Sequence, residues 1–185
     1  MFIQTEATPN PATLKFLPGQ DILEVGTADF PNAEAGAASP LARRIFAVEG
    51  VTGVFLGIDF ITVTKAEAVD WSHIKPAILG AIMEHVQSGE SAIEGQASSG
   101  HAAHDGPDAE IVTQIKELLD TRVRPAVAQD GGDITFHGFD RGVVYLHMQG
   151  ACAGCPSSTL TLKMGIENLL RHYIPEVTEV RPVAV

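Results

Sequence analysis

The sequence predicts an α+β protein made of two small α+β domains joined by a flexible linker rich in Gly, Ser and Ala. Three observations predict this class. Strand-like and helix-like hydrophobic periods alternate in both halves, a Gly/Ser-rich stretch separates the halves, and 185 residues suffice for two domains of roughly 80 to 100 residues each. The predicted boundaries are 1–88 for the first domain, 89–107 for the linker and 108–185 for the second domain.

The first half has the pattern of two short strands, a helix, a hairpin and a second helix. Ser39 before Pro40 is typical of a helix start, because serine caps the first turn and proline fits its first position. The predicted ranges are strands at 2–6 and 13–17, a helix at 40–48, and a hairpin at 51–58 and 60–65. Apolar residues at helical spacing predict the second helix, namely Trp71, Ile74, Ile78, Ile82 and Val86.

The second half predicts the order helix, two strands, helix, strand. Asp108 is placed to cap the first helix, and Pro125 is expected to kink or end it. Residues 130–133 read Asp-Gly-Gly-Asp and predict a turn before a hairpin at 134–139 and 143–148, with a last strand at 177–180. Two apolar stripes mark the helices, Ile111, Ile115, Leu118 and Leu119 for the first and Leu162, Ile166, Leu169 and Leu170 for the second.

The charge of the chain excludes several classes of partner. The formal net charge is −11 and the sequence pI is about 4.9, which disfavours nucleic acid and anionic membranes. No apolar run approaches the roughly 20 residues of a membrane span. The first six residues lack the features of a signal peptide or an Arg-rich leader. We therefore expect a bacterial cytoplasmic protein, with a processed organellar form as the alternative.

Cys152 and Cys155 are the only cysteines, and they form a Cys-x-x-Cys pair. Zinc and iron–sulfur clusters commonly take four protein ligands, so this pair supplies half a set. Pro156 predicts a helix start that places Cys155 near the N-cap, where unpaired amides lower a thiol pKa. The neighbours, Gly150, Ala151, Ala153 and Gly154, are small and predict an open loop around both sulfurs.

Three explanations of the pair follow. In the first, a second copy of the chain brings two more thiolates, so that four thiolates hold a cluster at a twofold interface. A cluster held at such an interface can be released. Otherwise the pair does dithiol–disulfide chemistry without a metal. Only 30 residues follow Cys155, and the motif follows a hairpin, so a thioredoxin-like unit is disfavoured. A zinc-bridged structural dimer stays open as a third possibility.

The other polar residues have ordinary structural interpretations. His101 and His104 lie in the predicted linker and are interpreted as solvated. His137 and His147 are interpreted as positions on the sheet surface, and the alternative is that they lie near the cluster and donate hydrogen bonds to its ligands. No Ser/His/Asp set emerges, so we do not expect an enzyme. The remaining interpretations are a turn for Asp130 and Asp133, a solvated helix face for Arg43 and Arg44, and a core position for Trp71.

Runs of both halves resemble the Nfu proteins. The second half is similar to the C-terminal NifU-like domain of these proteins. The matching runs are GACAGCPSST at 150–159, Leu162-Lys163, Gly165 to Glu167, Arg124-Pro125 and the Asp-Gly-Gly-Asp turn. The first half is similar to the Nfu N-terminal domain. Its matching runs are FIQTE at 2–6, TPNP at 8–11, LKF at 14–16 with Pro18-Gly19, SPLA at 39–42 and GIDFITV at 57–63.

The resemblance implies an iron–sulfur cluster scaffold or carrier. The cluster would be 4Fe–4S, or else 2Fe–2S, held by Cys152 and Cys155 in a homodimer. It would arrive from an upstream donor and pass to apo iron–sulfur proteins. Because the first domain has no cysteine, we expect it to dock client proteins, while the linker raises the local concentration of the cluster loop.

Overall fold

The computed structural model describes residues 2–94, 106, 108–152 and 156–183, with only the backbone for 156–158. The chain divides into two compact units, Met1–Ser99 and Gly100–Val185. Each unit contains helices and one sheet, which confirms the predicted α+β class with two domains. Within the described part of the chain, no helix is both long and apolar enough to span a membrane.

The first unit is a five-stranded antiparallel sheet with its helices on one face. Spatial order along the sheet is β1-β2-β5-β4-β3. The strands are β1 (Gln4–Ala7), β2 (Thr13–Leu17), β3 (Ala28–Phe30), β4 (Val51–Leu56) and β5 (Ile61–Lys65). A 3₁₀ turn at Ala35–Ala38 precedes α1 (Pro40–Phe46), and α2 (Trp71–Ser88) follows the last strand. The predicted elements are all present, and β3 is the strand that the pattern missed.

Local chemistry explains where these helices begin. The Ser39 hydroxyl accepts a hydrogen bond from the Ala42 N–H at 3.0 Å, as its capping role predicts. Asp70 caps α2 by accepting from the Ser72 N–H at 2.9 Å. Both helices bury one apolar face in a common core that includes Phe16, Leu41, Ile45, Leu56, Ile61, Val63, Ile78 and Ile82. Trp71 packs only partly against this core, and its indole N–H donates to the Pro11 carbonyl.

Residues 89–94 lie against the first unit, although composition assigns them to the linker. Gly89 ends α2 with a φ of 69°, which favours glycine. The Ser39 hydroxyl donates to the Ala92 carbonyl, and the Glu94 N–H donates to the Ala38 carbonyl at 2.9 Å. His101 and His104 lie outside the described residues, as does the rest of the predicted linker except Gly106.

The second unit follows the predicted order helix, hairpin, helix, strand. Its sheet has the order β6-β7-β8, in which β6 and β7 are antiparallel and β7 and β8 are parallel. The elements are α3 (Ala109–Leu118), α4 (Arg124–Gln129), β6 (Gly132–Asp140), β7 (Val143–Gly150), α5 (Pro156–Tyr173) and β8 (Glu179–Val183). The core beneath the sheet includes Ile115, Leu119, Ile134, Phe136, Val144, Leu146, Leu170 and Val180.

Pro125 alters the first helix of this unit without ending it. A π-helical segment, Leu119–Val123, joins α3 to α4 directly before the proline. Proline has no N–H and crowds the preceding turn, and the wider π turn accommodates both effects. Asp108 precedes α3 as predicted, but its side chain makes no capping hydrogen bond. The helical run therefore continues to Gln129 and delivers the chain to the Asp-Gly-Gly-Asp turn.

Candidate functional site

The cysteine motif lies between β7 and α5 in the second unit. The strand ends at Gly150, which has a φ of 64°, and Ala151 and Cys152 form a turn. Helix α5 begins at Pro156, which confirms the predicted helix start. Cys155 lies outside the described residues, so its position at the helix N-cap stays a prediction.

Cys152 points inward, in contrast to the predicted open loop. The residue is only 6% exposed and belongs to the core cluster that contains Met148 and Ile166. Burial, together with the charges of Asp130 and Asp133, raises the pKa of the Cys152 thiol to about 12. The expectation of an accessible sulfur is therefore wrong for Cys152 in this structure, because the side chain packs against Gly132 and the core.

Gly132 provides the space that the Cys152 sulfur occupies. A Cβ atom at position 132 would lie 2.6 Å from Cys152 Sγ and 2.7 Å from the Gln149 carbonyl oxygen. Both distances are shorter than real Cβ contacts, so any larger residue would displace the loop. The Ala151 N–H donates to the Gly131 carbonyl at 3.2 Å, so the Asp-Gly-Gly-Asp turn and the cysteine loop are joined directly.

A second contact ties the cysteine loop to the start of α5. The Thr159 hydroxyl donates to the carbonyl oxygen of Cys152 at 3.0 Å. Thr159 lies in the first turn of that helix. The cysteine loop is therefore held at Ala151 by the glycine turn and at Cys152 by the helix.

Arg124 and Asp133 form a buried ion pair next to this loop, which sequence reasoning missed. Arg124 Nε and Nη2 lie 2.9 and 2.8 Å from the two carboxylate oxygens of Asp133, whose side chain is 4% exposed. Asp133 also accepts from the Ile134 N–H at 2.8 Å. The pair clamps α4 to the start of β6, so Asp133 does more than form a turn. These hydrogen bonds raise the pKa of Arg124 above its usual range.

Further polar groups lie on the sheet near the motif. Gln149 on β7 is buried opposite Asp133, and its Oε1 has no hydrogen-bond partner among the described residues. His137 is exposed beside a β-bulge, as predicted for the sheet surface. His147 is half-buried, and burial with the nearby His137 lowers its pKa. Among the residues described, no three His, Cys, Asp or Glu side chains are grouped so as to hold a metal ion.

The donors described near the cysteine loop are one thiol and two carboxylates, those of Cys152, Asp130 and Asp133. Thiols are donors that both zinc and iron–sulfur clusters accept. One thiol with two carboxylates nearby is not a complete metal site, so a metal centre here would need ligands beyond the described residues.

The first unit holds no thiol, and its noteworthy polar residues are an arginine and a histidine. Arg44 is partly buried and pairs with Glu84 at 2.8 Å and Glu90 at 2.9 Å, whereas Arg43 matches the predicted solvated face. His85 is 3% exposed, and its Nδ1 has no hydrogen-bond partner in the part of the chain that is described. Its spacing from Ile78 and Ile82 is the sequence signal that predicts burial on the core side of α2.

Family models match both units of the chain. Residues 3–89 match the family described as "Scaffold protein Nfu/NifU N terminal". Residues 115–181, which include both cysteines, match the family described as "NifU-like domain". Together the two matches cover most of the chain, in the order that the sequence resemblance implied.

Curated relatives align along nearly the whole chain. The "NFU1 iron-sulfur cluster scaffold homolog, mitochondrial" of Homo sapiens is 53% identical and covers 99% of this chain and 72% of its own length. The "NifU-like protein 4, mitochondrial" of Arabidopsis thaliana is also 53% identical, over 96% of this chain and 64% of its own length. This chain thus spans about two thirds of the length of such relatives.

Solved structures show a weaker likeness to parts of the chain. The solution structure of a NifU-like protein from Saccharomyces cerevisiae is 30% identical, with a TM-score of 0.45 over 52% of this chain and 87% of that one. A crystal structure of a Staphylococcus aureus protein is 24% identical, with a TM-score of 0.40 over 44% of this chain and 99% of that one. At these TM-scores neither likeness bears on the fold.

The predicted bacterial cytoplasmic location is contradicted. The relatives from Arabidopsis thaliana, Homo sapiens and Drosophila sechellia are all named as mitochondrial, which points to an organelle. The wrong prediction rested on the first six residues, and the structure shows that these include the start of β1. A strand of the folded domain carries no information on location.

The two family matches and the identity to the scaffold homologues lead to one conclusion. This chain belongs to the Nfu family, with an Nfu/NifU N-terminal domain followed by a NifU-like domain.

Proposed function

We propose that this chain carries an iron–sulfur cluster on Cys152 and Cys155 and passes it to apo iron–sulfur proteins. The observation that carries the proposal is the position of the two cysteines, which are the only ones in the chain and lie inside the NifU-like match. The names of the relatives, as iron–sulfur cluster scaffold homologues, support it. A carrier of this kind has no catalytic residues and is not an enzyme.

The cluster is proposed to bridge two copies of the chain. Two thiolates per chain make four in a dimer, which is the set that a 4Fe–4S or 2Fe–2S cluster commonly takes. Leu160 and Met164 support a contact between copies near the motif, because they are 58% and 57% exposed and lie one turn apart on α5. We propose 4Fe–4S as the cargo and 2Fe–2S as the alternative.

Loading and transfer are proposed to occur by thiol exchange. As Cys152 binds iron, its thiol gives up a proton to solvent and the sulfur leaves the core for the bridging site. An acceptor protein then displaces the sulfurs one at a time with its own thiolates. The buried position of Cys152 favours return of the empty loop to the closed form, which promotes release.

The first unit is proposed to dock client proteins while the second unit holds the cluster. It holds no cysteine, and its match to the family's N-terminal domain is separate from the cluster motif. Deleting residues 1–88 should then leave cluster loading intact and slow its transfer to an acceptor. An upstream donor is proposed to load the cluster.

Cysteine variants reconstituted without oxygen test the proposal. Cys152→Ala and Cys155→Ala should each lose bound iron and acid-labile sulfide while far-UV circular dichroism remains unchanged. Full iron retention by both variants would overturn the proposed ligands. Zinc in place of iron in the wild type would favour a structural dimer. Disulfide turnover without metal would favour an oxidoreductase, although the raised pKa of Cys152 opposes thiolate formation.

A further inference from the structure

A groove on the first unit has no role in the cysteine chemistry. Its volume is about 680 Å³, and its walls are the segment at 20–25, the end of α2 and the segment at 89–93. The argument below concerns Asp21, Glu24, Val25, His85 and Ile93, which line it. All of these residues belong to the unit that lacks cysteines.

His85 gives this groove an unsatisfied polar group. The side chain is 3% exposed, and Nδ1 has no hydrogen-bond partner among the described residues. Burial and the charge of Arg44 lower the pKa of His85, which keeps the imidazole neutral. Because Nδ1 is itself buried, His85 contributes a fixed, neutral ring to the groove wall.

The walls of the groove combine exposed apolar surface with a fixed backbone. Val25 is 70% exposed, and Ile93 is partly buried against the core. The N–H groups of Ile22 and Leu23 both donate to the Ile58 carbonyl, at 2.5 and 3.1 Å. The Ser39 hydroxyl holds the opposite wall by donating to Ala92. A preformed apolar surface of this kind binds a side chain with little ordering cost.

The rim of the groove is acidic. Asp21 and Glu24 are exposed and form no ion pair within the described part of the chain. Glu90 also lines the groove but is paired with Arg44 at 2.9 Å. No three acidic or histidine side chains are grouped for a metal ion among these residues. The two free carboxylates therefore favour a positively charged partner that also has apolar surface.

We propose that this groove docks a basic segment of a client protein, in which Lys or Arg side chains flank an apolar anchor. The anchor packs on Val25 and Ile93 beside the ring of His85, and the basic groups meet Asp21 and Glu24. This inference deepens the proposed carrier function and rests on it for the identity of the partner as a client. Docking in the first unit leaves both cysteines available for the cluster.

A short synthetic peptide of alternating Lys and Leu tests the groove on the full chain without a cluster. Fluorescence anisotropy should show binding, and the imidazole resonances of His85 should shift in NMR spectra. A Lys/Ser peptide and a Glu/Leu peptide of equal length should bind at least roughly tenfold more weakly, since each lacks one of the two complementary features. Equal binding of the Lys/Ser peptide would overturn the apolar anchor.

Charge-matched variants make the test specific. Asp21→Lys with Glu24→Lys should weaken binding of the Lys/Leu peptide at least roughly tenfold. Glu49→Lys with Glu67→Lys changes the net charge equally at exposed positions outside the groove and should leave binding unchanged. Equal loss of peptide binding in both double variants would show that net charge alone governs binding, and this result would overturn the site. Val25→Ser, at a position that is 70% exposed, removes the apolar contact without a change of charge and should also weaken binding of the Lys/Leu peptide.

Cluster measurements separate this proposal from the carrier function. The groove variants should retain wild-type iron content after reconstitution, because they lie in the other unit. Loss of peptide binding with normal iron content and slower transfer to an apo acceptor supports the docking groove. Normal transfer by both groove variants would overturn its role in client binding. Absence of iron from the wild type would overturn the carrier function, while peptide binding would still report on the groove.

Discussion

The Arg43–Glu94 pair of the first unit and the Arg124–Asp133 pair of the second unit differ in burial. In the first unit, ion pairs such as Arg43–Glu94 lie at the surface, with side chains 51% and 65% exposed. In the second unit, Arg124 meets an Asp133 that is 4% exposed and lies at the start of β6, the strand that packs beside the cysteine loop. Surface pairs contribute little to stability, whereas a buried carboxylate depends on its partner. The two pairs therefore differ in what they do: Arg124–Asp133 fixes the start of β6 beside the cysteine loop, whereas Arg43–Glu94 stays solvated at the surface.

Removal of Arg124 should give the largest loss of stability. Arg124→Ala leaves the Asp133 carboxylate buried without its partner, which is expected to destabilise the second unit by about 3 kcal/mol. Urea unfolding followed by the signals of Tyr145 and Tyr173, both in the second unit, measures this loss. The single tryptophan, Trp71, reports on the first unit and should show no change.

Arg43→Ala is the matched control in the first unit. Its exposed pair with Glu94 predicts a loss of less than about 0.5 kcal/mol in the Trp71 transition. Equal losses of stability in Arg124→Ala and Arg43→Ala would contradict the difference in burial between the two ion pairs.

The two cysteines should differ strongly in reactivity. In Cys155→Ser, the remaining Cys152 is buried and protonated at neutral pH, so iodoacetamide should label it at least roughly 100-fold more slowly than in urea. In Cys152→Ser, a Cys155 at the predicted helix N-terminus should label faster than in urea. Fast labelling of Cys152 in the folded chain would mean that the closed loop is not its resting state.

Asp29 makes the stability of the first unit depend on pH. Burial raises its pKa from 3.8 to about 6, so the folded state favours the protonated acid. That stabilisation is present below about pH 3.8 and is lost as pH rises through about 6. At pH 7 Asp29→Asn should therefore stabilise the unit relative to the wild type, by up to about 3 kcal/mol.

The Trp71 transition in urea, measured between pH 4 and pH 8, checks this expectation. Asp59→Asn removes a charge from an exposed position in the same unit and serves as control. If the stability of Asp29→Asn changed with pH in parallel with that of the wild type, the result would contradict the raised pKa of Asp29.

Alanine substitutions at two glycines of β6 distinguish the effect of packing around the Cys152 sulfur from the effect of strand propensity. Gly132→Ala should destabilise the second unit by about 1–3 kcal/mol, because the new methyl group overlaps Cys152 Sγ and the Gln149 carbonyl. Gly138→Ala meets only Tyr145, at 3.9 Å, and should be nearly neutral. Equal effects of the two substitutions in urea unfolding would contradict the close approach at Gly132.

Features with local causes were predictable from the sequence. Ser39 with Pro40 marked the start of α1, and the stripe from Ile74 to Ile82 marked α2, because capping and periodicity act within a few residues. Strand β3 was missed because its three residues have no alternation and exist as a strand only through pairing with β4. The π-helical segment before Pro125 was also missed. A proline predicts that a helix is interrupted, but it does not predict which conformation the interruption takes.

The sequence made Cys152 a candidate ligand but did not reveal that its side chain is buried. The Cys-x-x-Cys spacing identified Cys152, but its burial depends on Gly132, a residue twenty positions earlier that only the folded hairpin brings close. The ion pair of Arg124 and Asp133 also joins a helix to a strand through tertiary structure. Such contacts leave no periodic pattern in the sequence.

Iron and acid-labile sulfide per chain, measured with the mass in solution after reconstitution without oxygen, test the central claim most directly. The account predicts a dimer that holds about two iron and two sulfide per chain for a shared 4Fe–4S cluster, or about one of each for 2Fe–2S. A folded monomer that retains neither iron nor sulfide would contradict the claim.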